Sequence, residues 1–288
     1  MITVATTTTL KAPARTGISD HLASAAVTAL IDEVRLSGKP GLVGPDGSRG
    51  HTDMDVHLME LSARTLHSTF RTLAGHGMRL DVGQELRDTL GRVGRHGEAQ
   101  MMKVTGGVNT HRGAIWNLGL TVTATAGLLA TGAPVTVDAV TTRAGRIASH
   151  QDSALDLGLR PGARARRKYR VGGAVSEAAG GFPHVRAIVD AVRSARAGGF
   201  SREDAHLIGL LTSMSTLDDT CLLHRGGLRA LESVAAASSR ILGETLRHGY
   251  LDRTQLAHLD HRMTTRGLSP GGSADLLACA LFLTTKDD

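Results

Sequence analysis

The sequence predicts an all-α protein built as a single compact domain of many helices. Apolar residues recur at helical spacing almost throughout, and no alternating stretch longer than four residues indicates a strand, Val135–Val140 being the nearest candidate. Aromatic residues make up only 2% of the chain, whereas small and aliphatic residues are plentiful. Because small side chains let helices approach closely, this composition favours helices over sheets.

The catalytic domain is expected to span residues 19–288, after a flexible N-terminal tail at residues 1–18. A chain of 288 residues can bury a full core, and no linker rich in Pro or Ser divides it. The N-terminus lacks an apolar secretory segment. Cys221 and Cys279 lie in apolar helical contexts and are expected to be buried thiols rather than a disulfide. These features predict a cytoplasmic protein.

The helices of the first third can be placed by caps and breakers. Ser19 is expected to cap a first helix that ends near Gly38. The turn-rich segment Lys39–Gly50 is expected to be a loop. A second helix is expected to begin near Thr52 or Asp53 and to end at Gly75 and Gly77, and a third to begin near Asp81 and to lose definition over Gly91–Gly97.

The stretch Gly113–Val137 carries no charged residue. It contains Asn117, five threonines and Pro134, so a buried core helix is a better interpretation than a membrane span. Pro134 and Asp138–Arg146 are expected to form a break and a charged turn. Further helices are expected from about Ser201 to Leu223, Leu228 to Arg247, Leu251 to Thr265 and Ser273 to Thr285.

The chain is basic, with a formal net charge of +6. Of its 33 basic residues most are arginine, a bias that often reflects genome composition, so we do not expect nucleic acid as a partner. The segment Arg160–Arg170 holds six basic residues and no acidic one. It is either a solvated face or a rim that attracts phosphate.

Two dense polar motifs interrupt apolar surroundings, where polar groups are costly unless they pair or bind a ligand. One contains Asn109, Thr110, His111 and Arg112 between glycines, and a plain helix N-cap is the alternative interpretation. The other is Leu217–Gly227. These motifs supply the candidate site residues Asn109, His111, Arg112, Asp218, Asp219, His224 and Arg225.

Asp218 is expected to lie on an apolar helix face, because Leu207, Leu211 and Met214 precede it at helical spacing. A carboxylate there needs a cation, a metal or a shifted pKa. Asp218 and Asp219 would together flank one metal–phosphate cluster. The alternative is an ion pair between Asp218 and a core arginine.

A third polar cluster contains His51, Asp53, Asp55 and His57. If this segment is helical, His51 aligns with Asp55 and Asp53 with His57. The carboxylates would suit Mg²⁺ and the histidines Zn²⁺, and an acidic first turn of a helix is the alternative.

Two short loops have residues small enough for their backbone N–H groups to approach an anion. One is Gly47–Gly50, in which Arg49 would add a charged bond, and the other is Ser269–Ser273. Neither is a Walker loop, and no strand followed by Gly-x-Gly-x-x-Gly indicates a Rossmann domain.

The ordered set of motifs resembles the triphosphoribosyl-dephospho-CoA synthase family. The resemblance spans about residues 36–283, and the segment from Gly172 through Glu177 to Val185 is most similar to the branch that serves malonate decarboxylase. Arg112 stands where that family commonly has lysine, and Cys221 where it often has asparagine. The motifs are Lys39–Val43, His51–Asp55, Gly107–Gly113, Leu217–Thr220, His224–Gly227 and Ser269–Asp275.

The resemblance implies an all-α enzyme that transfers the triphosphoribosyl group of ATP to the 2′-hydroxyl of 3′-dephospho-CoA and releases adenine. It further implies a link to the acyl-carrier subunit of malonate decarboxylase, to which a separate phosphoribosyl-dephospho-CoA transferase attaches the prosthetic group. No membrane partner is expected, and a homodimer is left open.

Such a reaction breaks a C1′–N9 bond through an oxocarbenium-like transition state. For the Mg²⁺ that accompanies ATP we expect Asp218, Asp219 and Glu177 as ligands. We expect Asp55, oriented by His51, or Asp53 to accept the hydroxyl proton, and His111 or Asn109 to donate to adenine. The expected contacts to the nucleotide are Arg49, His51, Arg112, Glu177, His224, Arg225 and Ser273.

Two rival functions remain open at this stage. One is an all-α, Mg²⁺-dependent hydrolase of ADP-ribose-like N-glycosides, which would release the base without dephospho-CoA. The other is a helical nucleic-acid binder, which would leave Asp218 and the Asn109 motif unexplained.

Overall fold

The computed structural model describes residues 12–154 and 161–285. Within these ranges it has thirteen α-helices and no β-strand, which confirms the all-α fold class. The helices are α1 Ala12–Arg35, α2 Val56–Thr65, α3 His67–Gly77, α4 Gln84–Val104, α5 Arg112–Thr131, α6 Val137–Ala148, α7 Pro161–Tyr169, α8 Gly173–Ala179, α9 Pro183–Ala197, α10 Arg202–Thr216, α11 Thr220–His248, α12 Arg253–Thr264 and α13 Gly271–Thr284.

Helices α5 and α13 form the centre of the core. Thirteen of the twenty residues of α5 and ten of the fourteen of α13 are buried. Helix α5 packs against α1, α3, α4, α6 and α13, and α13 packs against α1, α9 and α10 as well. Helix α5 is long and apolar enough to cross a membrane, but most of it is buried inside the protein. The prediction of a core helix is therefore confirmed.

The threonines of α5 are compatible with this burial because their hydroxyl groups bond within the helix. Thr121, Thr123 and Thr125 donate to the backbone carbonyl oxygens of Asn117, Gly119 and Thr121 at 3.2, 2.7 and 2.8 Å. Each hydroxyl is thus satisfied one turn back along the helix. Asn117 is different, since its buried side-chain oxygen has no hydrogen-bond partner among the described residues.

Several predicted helix boundaries are wrong. Helix α1 begins at Ala12, so Ser19 lies inside it, buried, rather than at its cap; residues 1–11 of the predicted tail lie outside the described residues. The second predicted helix starts later, at Val56, and is divided at Leu66 into α2 and α3.

Helix α4 runs without interruption through the segment where we expected it to fade. A Cβ on Gly91 would lie 2.1 Å from Asp152 Oδ2, and one on Gly97 would lie 2.6 Å from the Thr69 side chain. These glycines therefore let the side chains of Asp152 and Thr69 approach α4 closely, and they do not end the helix.

The charged segment after Pro134 is helix α6, not a turn. Thr136 caps it, with Oγ1 accepting from the Ala139 N–H at 3.1 Å. Pro134 lies in the non-helical stretch between α5 and α6, so the predicted break is confirmed. We also did not predict α9, although Val185, Ile188 and Val192 have helical spacing and are buried.

The chain between α10 and the second half of α11 bends twice. Helix α10 ends at Thr216, three residues before Asp219 caps α11, so Ser201–Leu223 is not one helix as predicted. Gly227 interrupts α11 with φ 68° and ψ −170°. This left-handed conformation suits glycine, and it separates the polar motif from the rest of the helix. Both cysteines are free thiols, as predicted.

Candidate active site

A cavity of about 890 Å³ opens at one end of the core. The first residues of α5, α11 and α13 all line it. Because the N-terminus of a helix carries partial positive charge and free N–H groups, three such ends around one cavity favour a ligand with negative charge. The volume lies within the range of small-molecule sites.

Most of the residues predicted for the site meet in this cavity. The Asn109 motif and the Leu217–Gly227 motif, which are far apart along the chain, therefore both contribute to the wall of the cavity. Those that line it are His51, Asn109, His111, Arg112, Glu177, Asp218, Asp219, His224 and Arg225. Arg49, Asp53, Asp55 and Ser273 do not line it.

Asp219 is buried and fixes the start of two helices. Its Oδ1 accepts from the N–H groups of Cys221 and Leu222 at 2.8 and 3.4 Å, and its Oδ2 accepts from the N–H and hydroxyl groups of Ser273 at 2.9 and 3.2 Å. Burial raises the pKa of Asp219, and these N–H groups oppose the rise. Both oxygens are thus already used, which does not fit the predicted role as a metal ligand. Ser273 is a partner of Asp219 and not a ligand contact.

Asp218 does not extend the apolar helix face as predicted. Leu207, Leu211 and Met214 are buried on α10, but the helix ends at Thr216 and Asp218 is exposed in the following turn. It lies at the cavity rim, with His184 close enough to interact with its charge.

Glu177 lines the cavity but is engaged by the start of α9. Its two oxygens accept from the His184 N–H at 2.9 Å and pair with His184 Nδ1 at 2.7 Å. Glu177, followed by other nearby acceptors, raises the pKa of His184. Glu177 is therefore already paired with His184, a residue we did not single out. This pairing does not favour the predicted role of Glu177 as a Mg²⁺ ligand.

His111 is buried and its two ring nitrogens differ. Nδ1 bonds to Ser62 Oγ at 2.8 Å, and Ser62 also bonds to Thr110 Oγ1 at 2.6 Å. Nε2 has no partner among the described residues. Burial, with the charge of Lys39, lowers the pKa of His111 to about 4. The ring is therefore neutral near pH 7, and its unpartnered Nε2 can form a hydrogen bond to a ligand. The predicted donation to adenine stays a prediction.

The remaining residues of the Asn109 motif have partners as well. Asn109 Oδ1 accepts from the Arg112 N–H at 3.2 Å at the start of α5, while the N-cap position itself is His111, whose side chain makes no cap bond. Arg112 Nε donates to Glu98 Oε1 at 2.6 Å. Arg225 donates to the Gly267 carbonyl at 3.0 Å and lies 3.3 Å from His51 Nδ1.

The predicted bases lie in a shallower depression beside the cavity. Asp53 and Asp55 line this depression, and His51 is shared with the cavity. Residues 51–55 are not helical, so the predicted alignment of His51 with Asp55 does not occur. Asp55 caps α2 by accepting from Leu58 N–H at 2.8 Å, while His51 Nδ1 lies 3.8 Å from Asp53. This placement weighs against a base role for either aspartate.

Arg49 is paired with acidic groups outside the cavity. Its guanidinium lies 3.2 Å from Asp260 and 3.7 Å from Asp46. The predicted phosphate contact would require both pairs to open.

The basic segment is divided by helix α7 into two faces. Arg164, Arg167, Lys168 and Arg170 are exposed, whereas Arg166 lines the cavity with an Nε that has no partner among the described residues. The solvated face is confirmed for the exposed residues, and attraction of phosphate stays a prediction for Arg166. Arg160 lies outside the described residues.

Sequence reasoning missed several residues of the cavity wall. Arg87 lies 4.8 Å from the Trp116 ring centre, and Asp152 pairs with Arg95 at 2.6 Å and with Arg87 at 3.6 Å. Asn117 had a signal, since it is the one amide in the uncharged helix. The pairing of α4 with Asp152, in contrast, joins distant segments that no local pattern connects.

Five arginines and seven carboxylates line the described cavity wall, so its charge is mixed. The arginines are Arg87, Arg95, Arg112, Arg166 and Arg225, and the carboxylates are Glu33, Glu98, Asp152, Glu177, Asp218, Asp219 and Asp275. No three His, Cys, Asp or Glu residues of the described part form a group that would hold a metal ion.

Comparison with known proteins agrees with the resemblance of the motifs. The family model of ATP:dephospho-CoA triphosphoribosyl transferase matches residues 19–288. A 2-(5″-triphosphoribosyl)-3′-dephosphocoenzyme-A synthase of Klebsiella pneumoniae is 44% identical over 95% of this chain and 96% of its own length. Probable synthases of the same name from Pseudomonas syringae pv. syringae and Pseudomonas aeruginosa are both 43% identical, over 94% and 95% of this chain and 93% of their own lengths.

No solved structure matches the chain. The match to the family model covers nearly all of the sequence, and it includes every residue that lines the cavity. The chain belongs to the ATP:dephospho-CoA triphosphoribosyl transferase family.

Proposed function

We propose that this protein transfers the 5-triphosphoribosyl group of ATP to the 2′-hydroxyl of 3′-dephospho-CoA and releases adenine. The observation that carries the proposal is one cavity that is lined by three helix N-termini, by apolar residues and by several unpartnered polar atoms. A nucleotide has the same two parts, a polyanion and an aromatic base.

The triphosphate is proposed to lie at the ends of α5, α11 and α13. The partial positive charge of these helix ends favours phosphate oxygens, although several of their N–H groups already bond to Asn109, Asp219 and Asp275. Arg166 has a buried Nε that lacks a partner among the described residues. Arg225 and His224 line the same end. Arginine binds phosphate in a fork geometry, so these side chains add charge-assisted bonds.

The adenine is proposed to lie deeper, against Trp116 and the apolar wall. Asn117 is buried there with a free side-chain oxygen, and the amide of asparagine matches the hydrogen-bonding edge of adenine. The unpartnered Nε2 of the neutral His111 offers a second hydrogen bond.

Mg²⁺ is proposed to accompany ATP. Protein sites usually hold it through one or two carboxylates together with substrate phosphates, and Asp218 at the rim fits that requirement. Asp219 and Glu177 do not fit it, because their oxygens already accept hydrogen bonds. The ion, when bound, supplies charge neutralisation and orientation of the phosphates.

The wider biological setting is also a proposal. The segment Gly172–Val185, whose pattern is most similar to the malonate decarboxylase branch, contributes Gly173, Glu177 and neighbouring residues to the cavity wall. We propose that the product is the prosthetic-group precursor of the malonate decarboxylase acyl-carrier subunit. The cytoplasmic location and the homodimer stay predictions.

The proposal is tested by incubating the purified protein with ATP, Mg²⁺ and 3′-dephospho-CoA, beside controls that lack each component. Mass spectrometry should detect free adenine and a dephospho-CoA adduct with an intact triphosphoribose. Adenine without the adduct would favour the alternative, an all-α Mg²⁺-dependent N-glycoside hydrolase. Neither product from a folded protein would overturn both.

A further inference from the structure

Among the enclosed carboxyl groups that line the cavity, Asp275 differs from the others. It has neither an ion-pair partner nor a set of N–H groups from helix ends. Four of the other cavity carboxylates pair with cationic side chains. Asp219 is saturated by helix N-termini, and Asp218 is exposed. The four pairs are Glu33 with Lys39, Glu98 with Arg112, Asp152 with Arg95, and Glu177 with His184.

The position of Asp275 is set by two core helices. It lies on α13, and its carboxylate accepts a hydrogen bond from the Ala114 N–H near the start of α5. A Cβ added to Gly113 would lie 1.9 Å from Asp275 Oδ2, so only glycine leaves room for the carboxyl group there. The side chain is therefore held against the first turn of α5.

This place is next to the proposed base subsite. Asn117 follows Gly113 by one turn of α5, and one turn further Thr121 interacts with Cys279 of α13. Asp275 and Asn117 thus belong to the facing surfaces of α5 and α13, and both line the cavity. A ligand that bonds to Asn117 is brought to the same end of the α5–α13 interface as Asp275.

The surroundings of Asp275 favour the protonated form. Burial, followed by the negative charges of Glu33 and Asp219, raises the pKa of Asp275 well above its usual value, and only the Ala114 N–H opposes the rise. Lys39, in the loop after α1, is bonded to Glu33, and His111 is neutral near pH 7. No Lys, Arg or His of the described residues forms an ion pair with Asp275. A carboxyl group kept neutral in a cavity is able to donate a proton.

We propose that Asp275 is the general acid that protonates adenine as its bond to the ribose breaks. The inference rests on the proposed function. The C1′–N9 electron pair leaves with adenine, whose ring nitrogen takes the proton of Asp275. The new bond forms between C1′ and the 2′-oxygen of dephospho-CoA, and the proton that this hydroxyl loses, directly or through water, restores the carboxyl group. Atoms and charge balance without another reactant.

This role also accounts for the position of His111. A ring whose pKa is about 4 carries no extra proton near pH 7, so His111 can orient the base but not protonate it. Asp275 has the opposite property, a proton retained where most carboxyl groups have lost theirs.

The test compares the whole protein with its Asp275→Asn variant, which keeps the shape of the side chain and an acceptor for Ala114. The matched control is Asp252→Asn, at the exposed cap of α12 outside the cavity. Adduct and adenine are measured over a range of pH, with kcat and the KM for ATP, and each variant is melted.

For Asp275→Asn we expect kcat to fall at least about 100-fold, the size typical of general acid catalysis, with little change in KM. The decline of wild-type kcat at alkaline pH should be absent from the variant. Its melting temperature should not fall, because asparagine is neutral like the protonated carboxyl group that it replaces and keeps an acceptor for the Ala114 N–H. The control should match the wild type.

A kcat within about threefold of the wild type would overturn the proposal. So would a lowered melting temperature with an unchanged alkaline decline, because that result indicates a structural role. If the wild type itself forms no adduct, the proposed function has failed and not only the role of Asp275. A second substrate, ATP methylated at N7 of adenine, needs no protonation to lose its base. The variant should lose far less activity with it than with ATP, and an equal loss with both would contradict the acid role.

Discussion

Asp219 and Asp275 are aspartates of the same cavity, and both lie at helix N-termini. At the Asp219 junction, where α11 and α13 begin, the carboxylate accepts hydrogen bonds from N–H groups of both helices. At the Asp275 junction, the carboxyl group receives one N–H group from α5 and faces two other acidic residues. A saturated carboxylate holds helices together, whereas one left short of partners is available for chemistry. We therefore expect a disturbed Asp219 junction to cost stability and a disturbed Asp275 junction to cost activity.

The Asp275 junction can be disturbed without changing Asp275. In Gly113→Ala the new Cβ would lie 1.9 Å from Oδ2, so the carboxyl group must move. A misplacement of about 1 Å in a catalytic group can cost about 100-fold in rate, and we expect a loss of that size in kcat. Steady-state adenine release measures it.

The control for this variant is Gly243→Ala, on α11. No atom lies within 4 Å of the Cβ position there, so kcat should be unchanged, and stability should rise by up to about 1 kcal/mol. If the two alanine variants have the same kcat, the position of Asp275 does not matter to the reaction.

A change at the Asp219 junction should first lower the stability of the protein. Asp219→Ala removes bonds from a charged acceptor to the starts of α11 and α13, and the free energy of unfolding should fall by about 3 kcal/mol. Asp252→Ala removes the exposed cap of α12 and should cost about 1 kcal/mol. Urea unfolding of both variants gives the comparison, and equal losses would show that the junction adds nothing to an ordinary cap.

The third comparison concerns pH, because His111 near the Asp275 junction is buried without charge. Its pKa is about 4 in the folded protein and about 6.5 in an unfolded chain. Between these values the unfolded chain binds a proton that the folded protein does not, so the stability contributed by His111 is lost as the pH falls from about 6.5 to 4. Below that window the loss reaches about 3 kcal/mol.

This effect is isolated by subtracting the pH dependence of His111→Gln from that of the wild type. The difference should fall with acidification in that window. A difference that does not vary with pH would mean that His111 is protonated in the folded protein like an exposed histidine.

The smallest effect is expected outside the cavity. Asp55→Asn keeps a good cap for α2, since asparagine and aspartate cap helices about equally well, and kcat should change less than about threefold. The base role expected from the sequence predicts a loss of orders of magnitude instead. Parallel assays of Asp55→Asn and Asp275→Asn therefore separate the two assignments, and a large loss in the first would restore Asp55 to the site.

The fold class was predictable because helical periodicity is a local property. The wrong helix boundaries came from residues whose structural role depends on contacts with distant parts of the chain. Gly91 and Gly97 were interpreted as weak points of α4, but they give room to Asp152 and Thr69. Asp138–Arg146 was interpreted as a turn because its charges are evident, while the buried face of α6 becomes meaningful only against its neighbours.

The site was predictable as a set of motifs and not as a set of roles. Polar residues in apolar surroundings led to His111, Asp218, Asp219 and Arg225, and all four line the cavity. The roles of Asp218 and Asp219 differ because one is exposed and the other is saturated by Ser273, which lies far along the chain.

By itself, the sequence determined the all-α architecture, the apolar core helix, the motifs and the resemblance to a transferase family, because these depend on residue type and spacing. The tertiary structure alone decided which carboxyl groups are paired, which are saturated and which one is enclosed without a cationic partner. Those properties depend on burial and on partners from other helices, such as Gly113 and Ala114 for Asp275, and no pattern within one segment records them.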